Sequence, residues 1–177
     1  MDVRAEIEKS IRNIPDFPKP GIQFKDITPI LEKPVLSRAI ITEFNHLFDG
    51  IPIDAVAGVE SRGFLYGLPL AVELNVPFLV VRKKGKLPAE TVSHEYVLEY
   101  GSAEIEMHKG AVKKGMNVLV HDDLLATGGT AAATAQLILA QGGSIAGFSF
   151  LIELEPLSGR QKLVQFQKPI ISLVGYQ

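Results

Sequence analysis

Apolar positions recur along this chain with two different periods, and the periods alternate. Val3, Ile7 and Ile11 are spaced by four, which predicts an amphipathic helix. Pro15, Pro18, Pro20 and Gly21 end it, and "DFPKPGIQFKDITPI" reads as a stiff, irregular segment. Pro34 suits the first turn of a second helix running to about Phe48. Short, wholly apolar runs then take over: "IDAVAGV" at 53–59, "VPFLVVR" at 76–82 and "NVLVH" at 117–121. Each has the composition of a strand covered on both faces. "ESRGFLYGLPLAVELN" reads as a turn and a helix, and a small-residue helix runs from about Gly129 to Gln141. "GSIAGFSFLIEL" and "PIISLV" supply two further strands. Strands alternating with helices predict an α/β fold with a mostly parallel sheet. Right-handed crossovers then line the strand-to-helix loops along one edge.

One stretch breaks the alternation. From Lys83 to about Glu104 the chain is basic, then polar and aromatic, without helical period. "TVSHEYVLEY" alternates enough for a hairpin. An insertion of this length between two strands reads as a functional loop or lid.

Composition narrows the classes. A length of 177 residues is expected to form one domain spanning 1–177, and 46% hydrophobic residues mark a globular chain. No apolar run approaches the roughly 20 residues of a membrane helix. "MDVRAEIEKSIRNI" lacks an apolar stretch of the secretory kind, so a cytoplasmic location is the default. Cysteine is absent, which excludes disulfide and thiolate chemistry. A net charge of −2 gives no general pull toward nucleic acid, so any basic site must be local. His46, His94 and His108 lack metal-ligand spacing, and His121 reads as a packed, hydrogen-bonded histidine at a strand end.

The chemistry concentrates in "VLVHDDLLATGGT", residues 118–130. In an open parallel sheet, ligands bind beyond the C-terminal strand ends. Ala126, Thr127, Gly128, Gly129 and Thr130 can turn successive N–H groups toward one point, and a following helix adds its own free N–H groups and dipole. That is a phosphate cradle. It is neither a Walker loop, since no lysine follows Gly129, nor G-x-G-x-x-G. Asp122 and Asp123 would repel a phosphate and must serve another part of the ligand. Ionised carboxylates accept only, so their partner is a ribose 2′,3′-diol or a divalent cation. Carboxylates beneath a ribose also favour positive charge at its anomeric carbon. Arg62 in "SRG" and the run "VRKKGK" are the local cations suited to an anionic ligand. On pattern alone, Phe24 is ordinary core.

"VLVHDDLLATGGT" resembles the phosphoribosyl pyrophosphate (PRPP) signature of the type I phosphoribosyltransferases. "DFPKPGIQFKDITPIL", "ESRGFLYG", "VRKKGKLPAETVSHEYVLEYG" and "HDDLLATGGT" are similar, in order and spacing, to landmarks of the adenine phosphoribosyltransferase family. The resemblance covers about residues 12–176. It implies a type I phosphoribosyltransferase-like fold with flanking helices, a flexible lid loop and a small N-terminal hood. It implies transfer of 5-phosphoribosyl from PRPP to adenine, giving AMP and pyrophosphate, with Mg²⁺ bound mainly through PRPP. By the same resemblance, Asp122 and Asp123 sit at the ribose hydroxyls and residues 126–130 hold the 5′-phosphate. Arg62, Arg82, Lys83 and Lys86 meet pyrophosphate. Phe24, Lys25 and Leu154 meet adenine. Glu99 and Tyr100 lie on the closing loop and, with Arg62, are the catalytic candidates, Glu99 as the base for the adenine N9 proton. Homodimers are the family habit, and the basic run can reach the partner's site. No nucleic-acid or membrane partner is implied. Gln23, Lys25, Glu60 and His121 depart from common family choices, and Lys25 lacks the bidentate fork of arginine. Two other readings compete: transfer to a 6-oxopurine, and a non-catalytic PRPP sensor. The first wants a lysine that "IELEPLSG" lacks, and the second an added DNA-binding module and basic face.

Overall fold

The computed structural model describes residues 1–97 and 101–177. These divide into two compact units, Met1–Leu47 and Phe48–Gln177.

The first unit starts with helix α1 (Val3–Ser10), capped by the Asp2 side chain, which accepts from the Ala5 N–H. The segment expected to be irregular holds a small antiparallel sheet of β1 (Arg12–Pro15) and β2 (Gln23–Asp26). Phe24 stands opposite Ile14 and Lys25 opposite Asn13. Asp26 locks the end of this sheet. Its Oδ2 accepts from Arg12 Nε and Nη2 at 3.0 and 2.6 Å, and its Oδ1 from the Thr28 N–H at 2.9 Å. The Thr28 bond and the Arg12 charge hold this carboxyl below its usual range despite desolvation. The proline-rich sequence hid these strands, because only four residues of each pair. Helices α2 (Thr28–Leu31) and α3 (Pro34–Leu47) follow, and α1 packs on α3.

The second unit carries the expected α/β pattern. Strand β3 (Ala55–Val59) leads to helix α4 (Gly63–Glu73), then β4 (Phe78–Lys83). Strands β5 (Thr91–Val97) and β6 (Ser102–His108) come next, followed by β7 (Asn117–Leu125) and helix α5 (Gly129–Ala140). The chain closes with β8 (Ser144–Leu154), a short helix α6 (Arg160–Leu163) and β9 (Ile170–Tyr176). The seven-stranded sheet has the order β5-β6-β4-β3-β7-β8-β9. The five strands from β4 to β9 in that order are parallel. The core is aliphatic and phenylalanine-rich, with Val81, Val120, Ile138, Phe148 and Phe150 at or near zero exposure.

Two details differ from the sequence expectation. The stretch after Lys83 is not mainly loop: β5 and β6 pair antiparallel from Thr91↔His108 to Val97↔Ser102, and β6 pairs with β4. "TVSHEYV" is thus one strand, and its partner is "SAEIEMH". The strand "NVLVH" also runs four residues further, through both aspartates to Leu125. Strand β8 continues beside it, pairing Asp122 with Phe150 and Leu125 with Glu153, so the ladder carries the charges within the sheet.

Candidate active site

The edge of the second unit beyond β3 and β7 brings several predicted residues together. Asp122 and Asp123 are near the end of β7, and Asp123 is 4% exposed. Arg62 precedes α4 and sets its Nε 2.9 Å from Asp123 Oδ2, an ion pair whose angle does not make a hydrogen bond. Gly63 lets α4 approach this closely. A Cβ there would stand 2.9 Å from Asp122 Oδ1 and 3.1 Å from the His121 carbonyl. The Asp122 carboxyl also accepts from the Asp123 N–H at 2.9 Å.

Burial and the neighbouring Asp123 charge push Asp122 well above the usual carboxylate range, against the pull of Arg62. Asp123 is raised by burial too, with Arg62 opposing. Two adjacent desolvated carboxylates are costly, and they gain most from a ligand that brings hydrogen-bond donors or a cation.

The small-residue loop follows at once. Residues 124–131, with Asp122 and Phe150, line an open pocket. Gly128 takes a left-handed conformation at φ +75° and caps α5, which begins at Gly129. Gly159, just before α6, seats the loop from outside. A Cβ on Gly159 would overlap the Ala126 carbonyl and stand 2.8 Å from Gly128 N. A Cβ on Gly128 would in turn overlap the Gly159 carbonyl. Arg160 beside it is anchored, donating to the Glu153 carboxylate and to the Ile170 carbonyl at 2.7 Å. Sequence reasoning missed Gly159. The only trace was the tripeptide "SGR" far from the motif.

The basic run is organised by carboxylates. Register sets Val59 beside Val81, so Glu60 comes next to Arg82. Glu60 Oε1 accepts from Arg82 Nη2 at 3.0 Å and Lys86 Nζ at 3.2 Å, and Oε2 from the Lys83 N–H at 3.2 Å. The Arg82 hydrogen bond leads in lowering Glu60 to about 2, over the opposing cost of burial. On the other flank Arg82 pairs with Glu106 in the strand register. Glu106 accepts from the N–H groups of Lys86 and Leu87 at 2.9 and 2.8 Å and from the Thr91 hydroxyl. Burial alone would raise Glu106, but the backbone N–H groups of Leu87, Gly85 and Lys86 outweigh it and lower the carboxyl. Arg62 is thus paired with Asp123, whereas the Arg82 and Lys86 side chains and the Lys83 N–H gather on Glu60.

His121 is buried and inert, as read from its position. Its Nδ1 lies 2.9 Å from Ser149 Oγ, and burial lowers it to about 3, so it is neutral. Leu154 ends β8. In the first unit, the Phe24 ring packs edge-on against Phe17 with centroids 5.1 Å apart. Gln23 accepts from Asn13. Glu99 and Tyr100, named as catalytic, lie outside the described residues. Among the described residues no three His, Cys, Asp or Glu side chains gather as a metal site, and no helix is long and apolar enough to cross a membrane.

Comparison with known proteins agrees with this geometry. Residues 28–166 match the phosphoribosyl transferase domain family. The chain is 52% identical over 170 residues to an adenine phosphoribosyltransferase of Cytophaga hutchinsonii, covering 96% of this chain and 94% of that one. It is similar in structure to the adenine phosphoribosyltransferase of Thermoanaerobacter pseudethanolicus, with TM-score 0.94, 50% identity, and 98% and 99% of the two chains covered. The Saccharomyces cerevisiae enzyme, solved with an imino-altritol bisphosphate and adenine, matches with TM-score 0.90 and 39% identity over 97% and 98% of the chains.

Proposed function

The chain belongs to the phosphoribosyl transferase domain family, and we infer that it is an adenine phosphoribosyltransferase, joining adenine to the ribosyl carbon of PRPP with release of pyrophosphate. The observation that carries this reading is a buried carboxylate, Asp123, and its half-buried neighbour Asp122 abutting a small-residue loop, in a chain sharing half its residues with enzymes of that activity.

Adenine N9 forms the new bond to C1′ as the C1′–oxygen bond to pyrophosphate breaks, and the electron pair leaves with pyrophosphate. The sugar passes through a cationic state. Asp122 and Asp123, ionised, accept from the ribose hydroxyls and favour that positive charge. The N–H groups of residues 126–130 hold the 5′-phosphate and fix the sugar against them. Arg62, Arg82, Lys83 and Lys86 are assigned to the charge of the leaving pyrophosphate. The carboxylate pair suits a cation, and its two side chains alone leave most coordination positions to the substrate. Mg²⁺ arriving with PRPP would neutralise charge on the leaving group. Glu99 is our candidate to take the N9 proton, with Tyr100 assigned beside it by the same resemblance. Glu99→Gln is expected to lower kcat by roughly 10²- to 10⁴-fold. Wild-type turnover in that variant would remove Glu99 from the role. Phe24, Lys25 and Leu154 keep their assignment to adenine by resemblance, and Phe24→Ala should raise the KM for adenine and leave that for PRPP alone.

A homodimer is part of this reading. Leu65, Leu68 and Val72, spaced at i, i+3 and i+7 on α4, are 41%, 51% and 71% exposed, an apolar stripe suited to a second copy. We place the protein in the cytoplasm, where PRPP and purine bases meet. The deciding test is pyrophosphate release with PRPP and Mg²⁺ in the presence of adenine, hypoxanthine, guanine or xanthine. Release with adenine alone is expected. Release with a 6-oxopurine instead would keep the ribose-phosphate site and overturn the purine assignment.

A further inference from the structure

Thr130 faces two demands at once. It stands in the first turn of α5 and lines the anion pocket. Its hydroxyl also has a partner from a distant element: Tyr96 Oη lies 3.1 Å from Thr130 Oγ1. Tyr96 belongs to β5, an edge strand of the sheet, with three strands between it and β7. Strand pairing does not bring it to the loop; α5 crossing the sheet does. The Tyr96 ring is laid on the loop as well. A Cβ built on Gly129 would meet its ring carbons at 3.3 and 3.5 Å. The ring packs against the core cluster, so the phenol is held in place and is not a loose surface group.

The hydroxyl count gives this contact a role. A threonine hydroxyl has one proton and two lone pairs, and a phosphate oxygen offers only lone pairs. Thr130 therefore serves a phosphate only when its single proton points at the anion. A donor filling a Thr130 lone pair favours that orientation, and Tyr96 is the hydroxyl set to provide it. Without an anion, either hydroxyl can donate to the other. A bound dianion selects one direction, Tyr96 to Thr130 to phosphate, and each bond polarises the next.

We propose that Tyr96 is a positioning residue for the 5′-phosphate: its phenol donates to Thr130 Oγ1, commits the Thr130 proton to the anion, and ties β5 to the phosphate loop. It acts through Thr130 and touches no substrate. The proposal rests on the assignment of residues 126–130 to the 5′-phosphate.

The test is a double-mutant cycle of Tyr96→Phe and Thr130→Val. Phenylalanine keeps the ring on Gly129 and valine keeps the branched shape, so each removes only a hydroxyl. Tyr96→Phe is expected to raise the KM for PRPP roughly three- to tenfold, the size of one lost hydrogen bond, with kcat and the KM for adenine nearly unchanged. In the Thr130→Val background the same change should have almost no further effect, because its route is gone. A binding readout runs beside it: the rise in Tm on adding ribose 5-phosphate should be smaller in Tyr96→Phe than in wild type, at similar starting Tm. An unchanged KM for PRPP in Tyr96→Phe overturns the proposal. So does an effect that multiplies fully with that of Thr130→Val, or one that falls equally on adenine. If Thr130→Val itself binds PRPP and ribose 5-phosphate like wild type, the phosphate assignment fails and the proposal goes with it. If Thr130→Val is weakened and Tyr96→Phe is not, only the role of Tyr96 is lost.

Discussion

The phosphate loop and the basic run lie in the same unit and are assigned to the two anionic ends of one substrate, yet they are built in opposite ways. Residues 126–130 are held by main chain on main chain, with Gly128 and Gly159 so close that neither has space for a methyl group. Arg82, Lys83 and Lys86 are held by carboxylates, with Glu60 taking both side-chain cations and Glu106 pinning the turn between them. The difference matches what each anion must do. The 5′-phosphate is present in substrate and product, so a rigid cradle serves throughout. Pyrophosphate must be gripped and then released, and cations already shared with an internal carboxylate bind it less tightly.

The sharpest way to break this contrast is Gly159→Ala. The added methyl must displace the Ala126 carbonyl, and forcing it in costs up to about 3 kcal/mol, so kcat/KM for PRPP should fall about a hundredfold. Fluorescence titration with PRPP would register the loss directly, and near-normal affinity would mean that the cradle is pliable.

Asp122→Asn comes next. Removing one charged acceptor should lower kcat/KM for PRPP roughly ten- to a hundredfold. The pH dependence follows from the raised carboxyls of the pair. A raised carboxyl holds its proton to higher pH, and protonation removes its charge and turns one oxygen into a donor, so it holds the ribose diol less well. PRPP binding in wild type should therefore weaken as pH falls while still above the usual carboxylate range, and Asp122→Asn should flatten that profile. Stability runs the other way. A raised folded value contributes stability below the unfolded value that is lost as pH rises through the folded one. Asp122→Asn should thus have a higher Tm than wild type at neutral pH.

Glu60→Gln tests the basic run. Glu60 is held at about 2, below its ordinary 4.5, so its contribution to stability is present above pH 4.5 and lost as pH falls through about 2. With Lys86 half exposed, that contribution is of the order of 1–2 kcal/mol, and acid unfolding followed by circular dichroism should be less steep in the variant over that window. Freed of its competitor, the run should bind pyrophosphate about two- to fivefold more tightly as a product inhibitor. The smallest effect is expected from Lys83→Ala. Glu60 meets its N–H, which alanine keeps, so Tm should change little and pyrophosphate inhibition should weaken only a few-fold, less at high salt.

Much of this site was legible from the chain. The apolar run before "HDDLLATGGT" and the small-residue helix after it mark a strand, a tight small-residue loop and a helix N-terminus, and the structure has them in that order. The extent of β7 was not legible. Two charges look like a strand end, and only the pairing of β8 alongside carries the strand through them. The sheet of β1 and β2 was hidden for a related reason: four-residue strands amid prolines leave no alternation to count.

The sequence by itself determined the α/β class, the parallel core, the carboxylate pair and the small-residue loop after it, because periodicity and motif spacing are local properties. Tertiary structure alone decided who meets whom: Gly159 with Gly128, Tyr96 with Thr130, Arg62 with Asp123, Glu60 with Arg82. Those partners stand roughly 20 to 60 positions apart. Their meeting depends on strand order and helix crossing, which bring distant positions together without leaving any repeat along the chain.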